Sequence, residues 1–147
     1  MSTKLPQTKF YLAGKWADRQ ALLVRANELE QLSWQCTYKW MLHENIDPEL
    51  QGQAREQAMA HMAVNDLNGV LAADVVVALM DDPKYPYRGT CTELGAALAA
   101  KKTVVVINPH GSEAYCYNNV FYHHPDIIHY QSWAEAKSEL RKAIFVI

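Results

Sequence analysis

The chain has little of what would announce a special solution. Cysteine occurs three times, at Cys36, Cys91 and Cys116, scattered and odd in number. That fits reduced thiols in a cytoplasmic setting better than a disulfide framework. There is no excess of one charge: 14 Lys and Arg stand against 16 Asp and Glu, for a net charge of −2. Such a balance carries no electrostatic footprint for nucleic acid. No apolar run approaches the roughly 20 residues of a membrane-crossing helix. The first ten residues, MSTKLPQTKF, lack the apolar core of a secretory leader. Glycine occurs six times and never as GxGxxG, so a dinucleotide fingerprint is missing. His110, Cys116, His123, His124 and His129 fit no familiar zinc spacing, so neither metal nor organic cofactor is expected. Repeats, linkers and low-complexity segments are absent too. What remains suits one domain over residues 1–147.

What is present centres on residues 73–109, ADVVVALMDDPKYPYRGTCTELGAALAAKKTVVVINP. An apolar run at 75–80 is followed by a Pro-broken loop at 81–89. A small-residue helix at 90–100 and a second apolar run at 103–107 complete the unit. Apolar runs without polar alternation predict strands buried on both faces. Strand, loop, helix and strand make a right-handed βαβ crossover in a parallel sheet. Ligands bind such sheets at the carboxyl ends of the strands. Asp81, Asp82, Arg88, Gly89, Thr90 and Glu93 all fall there.

The rest of the chain reads as more of the same. Residues 9–13 predict a first strand, with Phe10 and Leu12 on one face and Tyr11 and Ala13 on the other. Asp18 is placed to cap a helix to about residue 32, with Leu22, Ala26 and Leu29 inward. Residues 35–39 predict a short second strand, and 40–52 a loop or lid. Residues 53–72 predict a helix whose inward stripe is Met59, Ala63, Val70 and Ala73. Met59 and Met62 read as core. Asp66 interrupts that stripe, which is costly for a carboxylate unless it is partnered or at a wet edge. Residues 108–131 are long, irregular and aromatic, with a fifth strand at 127–130. Ser132 and Glu135 form a capping-box pattern for a last helix. The apolar tail at 144–147 needs a cover. Five strands alternating with helices predict a doubly wound α/β domain of the flavodoxin or Rossmann type, with helices on both faces.

Glu93 has two readings. Gly89 permits a sharp turn and Thr90 can cap the helix, so Thr90 to Glu93 can be a capping box. Alternatively, a carboxylate in the first helical turn feels the positive dipole end and stays ionised. Held at a strand's carboxyl edge, it is a competent nucleophile toward an anomeric carbon.

Four pieces make the chain familiar: KFYLAG at 9–14, NDLNGVLAADVVVAL at 65–79, GTCTELGAALA at 89–99 and NNVFYHHPDI at 118–127. In order and content they resemble the nucleoside 2-deoxyribosyltransferase superfamily, which includes nucleoside transferases and deoxynucleotide N-glycosidases. The resemblance implies that Glu93 is the nucleophile of a covalent glycosyl-enzyme ester. It implies that Tyr11 orients Glu93 and that Asp66 contacts the base or passes it a proton. It also implies that Asn119, or Asn118, reaches into a neighbouring subunit's site, so that the protein is a homodimer or larger with shared sites. The expected substrate is a nucleoside or nucleotide; transfer to a second base and hydrolysis both stay open.

The chain also departs from the family's pattern. The transferases' aspartate six residues before the nucleophile is Tyr87 here. Asp81 or Asp82 are its possible substitutes, and the family's glutamine after the second strand has no secure counterpart. Gly14 with Lys15, Arg19 and Arg88 could hold a 5′-phosphate, at a turn opening a helix. Trp40 could stack on a base or simply pack. Two other readings remain on the same scaffold: a non-catalytic nucleotide sensor, and a hydrolase of another nucleotide such as NAD.

Overall fold

The computed structural model describes residues 7–143. Its elements are β1 (Lys9–Ala13), α1 (Arg19–Gln31), β2 (Gln35–Cys36), α2 (Gly52–Ala72), β3 (Val75–Leu79), α3 (Arg88–Ala99), β4 (Thr103–Ile107), β5 (Ile127–Tyr130) and α4 (Trp133–Ala143). The strands form one parallel sheet in the order β2-β1-β3-β4-β5. This is the flavodoxin-like order, and its direction reverses between β1 and β3. A ligand crevice belongs at the carboxyl edge of that pair.

The central strands explain the apolar runs. Every residue of β3 is buried, as are Val104 to Ile107 of β4. Both faces of these strands are covered by helices, so polar alternation would strand side chains in the core. Phe10 and Leu12 of β1 join Leu22, Ala26 and Leu29 of α1 and Trp133, Ala136 and Leu140 of α4 in one apolar layer. Tyr11 and Ala13 face the other way, with Val70, Leu94 and Ala97 of α2 and α3. The two-residue period of the strand thus sends neighbours into two different layers.

Several sequence expectations need correction. β2 spans two residues, not five, and pairs with β1 only as Lys9 to Gln35 and Phe10 to Cys36. The inward stripe expected on α2 holds only at its end. Gly69 and Val70 are its buried residues, whereas Met59 and Val64 are more than half exposed and Ala63 is exposed. The helix is longer than the strands it covers, so its first turns extend past them and the periodic residues there stay exposed. Met62 is part-buried and lines a cleft instead. Residues 108–126 are not structureless; they wind through three single 3-10 turns (Gly111–Glu113, Tyr115–Asn118, Val120–His123). Tyr122 pins them, its hydroxyl accepting from the buried Asn108 amide at 2.9 Å. At α4 the Ser132 hydroxyl accepts from the Glu135 amide at 3.1 Å, half of the expected capping box. The Glu135 carboxylate accepts from the Gln131 amide, one residue before the cap. The apolar tail at 144–147 lies outside the described residues.

Candidate active site

α3 begins earlier than its sequence suggests. Its first residue is Arg88, and its cap is Tyr87 in the left-handed region at φ 52°. That region is unusual for a bulky side chain. Tyr87 is held there by burial and by its hydroxyl, which accepts from the Asp82 amide at 2.9 Å. Burial pushes this phenol up to about 12, against the opposing pull of that hydrogen bond. Gly89 therefore makes no turn; it sits in the first helical turn with open space around its α-carbon. Thr90 is buried inside the helix and caps nothing.

This shift changes the chemistry of Glu93. Counting from Arg88, it is the sixth helical residue, so the capping-box reading fails. It is also beyond the first turn, where a helix dipole acts most strongly. Burial dominates instead and pushes the Glu93 carboxyl up to about 8. A hydrogen bond from the Tyr11 hydroxyl pulls it back, and the Asp66 carboxylate adds to the rise. Desolvation thus opposes the ionised carboxylate that the sequence led us to expect. Glu93 Oε2 is closed off from solvent and has no protein partner. A buried, unmatched carboxylate oxygen calls for a functional account.

The cleft in front of Glu93 holds about 190 Å³ and lies over the β1/β3 switch point. Tyr11 of β1 and Gly14 just after it form one wall. Asp66 and Met62 of α2 form another. Trp16, Tyr38, Trp40, His43 and Glu44 close it from the irregular segments after β1 and β2. Trp40 is both packed and in the cleft: its indole N–H donates to the Leu12 carbonyl at 2.7 Å. Tyr38 stacks on His43 at 5.1 Å between ring centroids. Burial raises the Tyr11 hydroxyl well above the ordinary phenol range, and the Glu93 charge adds to it. Asp66 is raised by burial, with His43 opposing. Asp66 thus sits at a half-buried cleft wall, which accounts for a carboxylate on an otherwise apolar stripe.

Tyr11, Gly14, Asp66 and Glu93 come together in this cleft. The other sequence candidates do not line it. Lys15 binds Asp82 at 2.8 Å and lies over the Tyr85 ring at 4.9 Å. Arg19 lies over the Trp16 ring at 4.9 Å and donates to the Trp16 carbonyl. The Asp81 carbonyl meets the His110 ring at 2.7 Å, and burial raises its carboxyl. Arg88 and Asn119 line a separate, shallower hollow of about 530 Å³ with Cys91, Thr92, Tyr115 and Phe121. Trp16, Tyr38, His43 and Glu44 were not singled out by the sequence. Tyr38 falls in the stretch read as the second strand; the other three lie on segments without periodicity, and position after a strand's carboxyl end was the only signal they gave. Among the described residues no cluster of three His, Cys, Asp or Glu suits a metal ion. No described helix is long and apolar enough to cross a membrane.

Fold and cleft together define a doubly wound α/β domain with an acidic, aromatic-walled cleft at its switch point. The chain belongs to the nucleoside 2-deoxyribosyltransferase family, whose model matches residues 10–131. It is similar in structure to a conserved protein from Enterococcus faecalis V583, at 22% identity and TM-score 0.52, over 90% of this chain and 86% of that one. It is also similar to a Clostridium botulinum CMP N-glycosidase, at 19% identity and TM-score 0.51, over 90% of this chain and 97% of that one. At these identities the likeness speaks for the fold. A search of curated proteins found no match.

Proposed function

We propose that the protein cleaves or transfers the N-glycosidic bond of a nucleoside or nucleotide through a covalent ester on Glu93. The observation that carries this reading is the partnerless Glu93 Oε2 beside Tyr11, at a cleft in a chain of this family. In the first step Glu93 attacks C1′ as the base departs. A proton reaches the base from the Asp66 side of the cleft. In the second step a new base, or water, displaces the ester. The Tyr11 hydroxyl favours the charged form of Glu93, so it helps ready the nucleophile and then stabilises the departing carboxylate. Trp16, Tyr38 and Trp40 offer ring faces for a base.

The protein is proposed to work as a homodimer or larger, in the cytoplasm, its three cysteines unpaired. Two features support association. The overhanging part of α2 exposes Met59 and Val64, and Tyr115, Val120 and Phe121 are exposed around Asn119. Asn119 would then serve a neighbouring copy's site. Sedimentation at several concentrations reads this directly; a monomer throughout would end it.

The activity is tested with a panel of nucleosides and 5′-nucleotides, with and without a free acceptor base, followed by chromatography. Free base alone marks hydrolysis, and an exchanged nucleoside marks transfer. Mass spectrometry of quenched enzyme is expected to find the sugar on the peptide holding Glu93. Release of base by Glu93→Gln at the wild-type rate would refute the mechanism.

A further inference from the structure

The segment after β2 brings a group into the cleft that neither carboxylate can replace. Met41 is buried and Trp40 is tied to the Leu12 carbonyl, so the chain is anchored just before residue 43. The His43 amide donates back to the Trp40 carbonyl at 3.1 Å, closing the turn. The ring that follows is stacked on Tyr38, with 23° between the planes. It lines the same hollow as Asp66 and Glu93. Stacking fixes the plane of an imidazole while leaving its nitrogens to other partners.

We propose that His43 is the acid that hands a proton to the departing base, with Asp66 holding its imidazolium in place. This rests on the N-glycosyl reading above and names the residue behind one of its steps. The titratable groups that line the hollow with His43 are Asp66 from α2, Glu93 from α3, Tyr11 from β1, and Tyr38 and Glu44 from its own segment. All but the two tyrosines are carboxyls, which offer acceptors to the imidazole N–H groups. Burial favours the protonated form of Glu93, yet attack needs its carboxylate. An imidazole in the same hollow is a place for the proton that Glu93 sheds, and one proton then serves both requirements.

The step balances. The Glu93 oxygen forms its bond to C1′ as the C1′–N bond breaks. The electron pair of that bond goes to the base nitrogen, which takes the proton from His43 and leaves the ring neutral. In the second half the neutral imidazole takes a proton from the incoming base's N–H, or from water. The new bond to C1′ forms, the ester C–O bond breaks, and carboxylate and imidazolium are restored. An imidazole can give and take in turn without leaving the neutral range.

The test compares the best 2′-deoxypurine nucleoside of the panel with its N7-methylated form, whose base departs without needing a proton. His43→Gln and His43→Phe are both made, the second keeping a ring to stack on Tyr38. Base release from the ordinary nucleoside is expected to fall about 10²–10³-fold in both variants. Release from the methylated nucleoside is expected to fall less than about tenfold. Equal losses on the two substrates, or none on either, would overturn the assignment. So would the substrate-selective loss appearing in Asp66→Asn and not at His43. Should wild-type protein release no base from any nucleoside or 5′-nucleotide of the panel, the N-glycosyl reading has failed instead. The pairing is then read by NMR titration of the imidazole. A displaced His43 titration in Asp66→Asn supports it, and an unchanged one overturns it.

Discussion

The two faces of the sheet are built from the same strands and do different work. On the face covered by α1 and α4, Phe10, Leu12, Val77, Val105 and Ile107 pack against leucines, alanines and two tryptophans. On the face covered by α2 and α3, β1 contributes Tyr11, and Thr90 and Glu93 are sunk beside it. One face is sealed. The other carries a hydroxyl and a carboxyl pressed together next to a hollow. Both arise from the alternation of a single strand, KFYLA. Natural domains concentrate their violations of packing rules where they act. The difference therefore predicts that changes on the first face will cost stability and changes on the second will cost activity.

The largest expected effect is on the second face. Glu93→Gln should lower turnover by about four decades, since it removes the oxygen proposed to attack C1′. The same change should leave the fold intact or firmer, because a neutral amide replaces a buried acid. Circular dichroism and a melting curve would accompany the rate. A variant both inactive and destabilised by more than about 2 kcal/mol would make Glu93 a packing residue like those of the other face.

Glu93 should also give this face a pH dependence that the sealed face lacks. The folded chain keeps the Glu93 proton up to about 8, while an ordinary glutamate loses it near 4.5. Between those values the native state binds the extra proton, so stability falls as pH rises. Its contribution is fully present below 4.5 and spent above 8. The total is on the order of 5 kcal/mol. Denaturant midpoints measured from pH 5 to 9 should show this decline in the wild type and a flatter curve in Glu93→Gln. Activity should not follow stability: attack needs the Glu93 carboxylate and base departure needs a proton on His43, so the rate is expected to pass through a maximum instead of falling steadily. A midpoint that climbs with pH would contradict the burial described here.

These two faces were not equally legible in the sequence. The strands were, because unbroken Val and Ile runs have few other uses, and the side assignments of Phe10, Tyr11, Leu12 and Ala13 follow from the pleat. Glu93, Asp66 and Tyr11 could be named because carboxylates beside apolar runs are conspicuous and the motifs are familiar. The start of α3 could not be read. A tyrosine at positive φ is against type, and what pays for it is a bond from Asp82 that no local pattern encodes. That misreading carried over to the charge of Glu93. The overhang of α2 was hidden for a different reason: periodicity reports an apolar stripe but not how far the sheet beneath it extends. His43 and Glu44 depend on the course of an irregular loop, which is set by Trp40 and Met41 finding the core.

Neighbours on β1 sharpen the comparison at intermediate size. Leu12→Ala should cost about 2–5 kcal/mol, as a fully buried leucine does, with turnover per folded molecule unchanged. Tyr11→Phe keeps the ring and removes the hydroxyl. It should shift stability by less than about 1 kcal/mol and lower turnover about 10–100-fold. Urea unfolding and kcat on one preparation read both quantities. Equal activity losses in the two variants would erase the division between the faces.

Gly69 offers the mildest way to disturb the active face without touching a reacting group. It is buried near the end of α2, where its carbonyl accepts from the Thr37 hydroxyl at 2.6 Å. A methyl group there would lie 2.7 Å from the Tyr38 β-carbon and 3.0 Å from two ring carbons of Tyr11. Neither neighbour is a free chain end, so both rings must give way. Gly69→Ala should cost about 1–3 kcal/mol from this crowding, set against a small gain in helix propensity. Because the crowded rings belong to the cleft, turnover should also fall, by about tenfold or less, through KM as well as kcat. The discriminating control is Ala26→Val on α1, an equally buried small residue facing the sealed layer. It should cost similar stability and leave kcat and KM of the folded fraction alone. If both substitutions lowered turnover alike, crowding anywhere in the sheet would reach the cleft, and the two faces would be one mechanical unit.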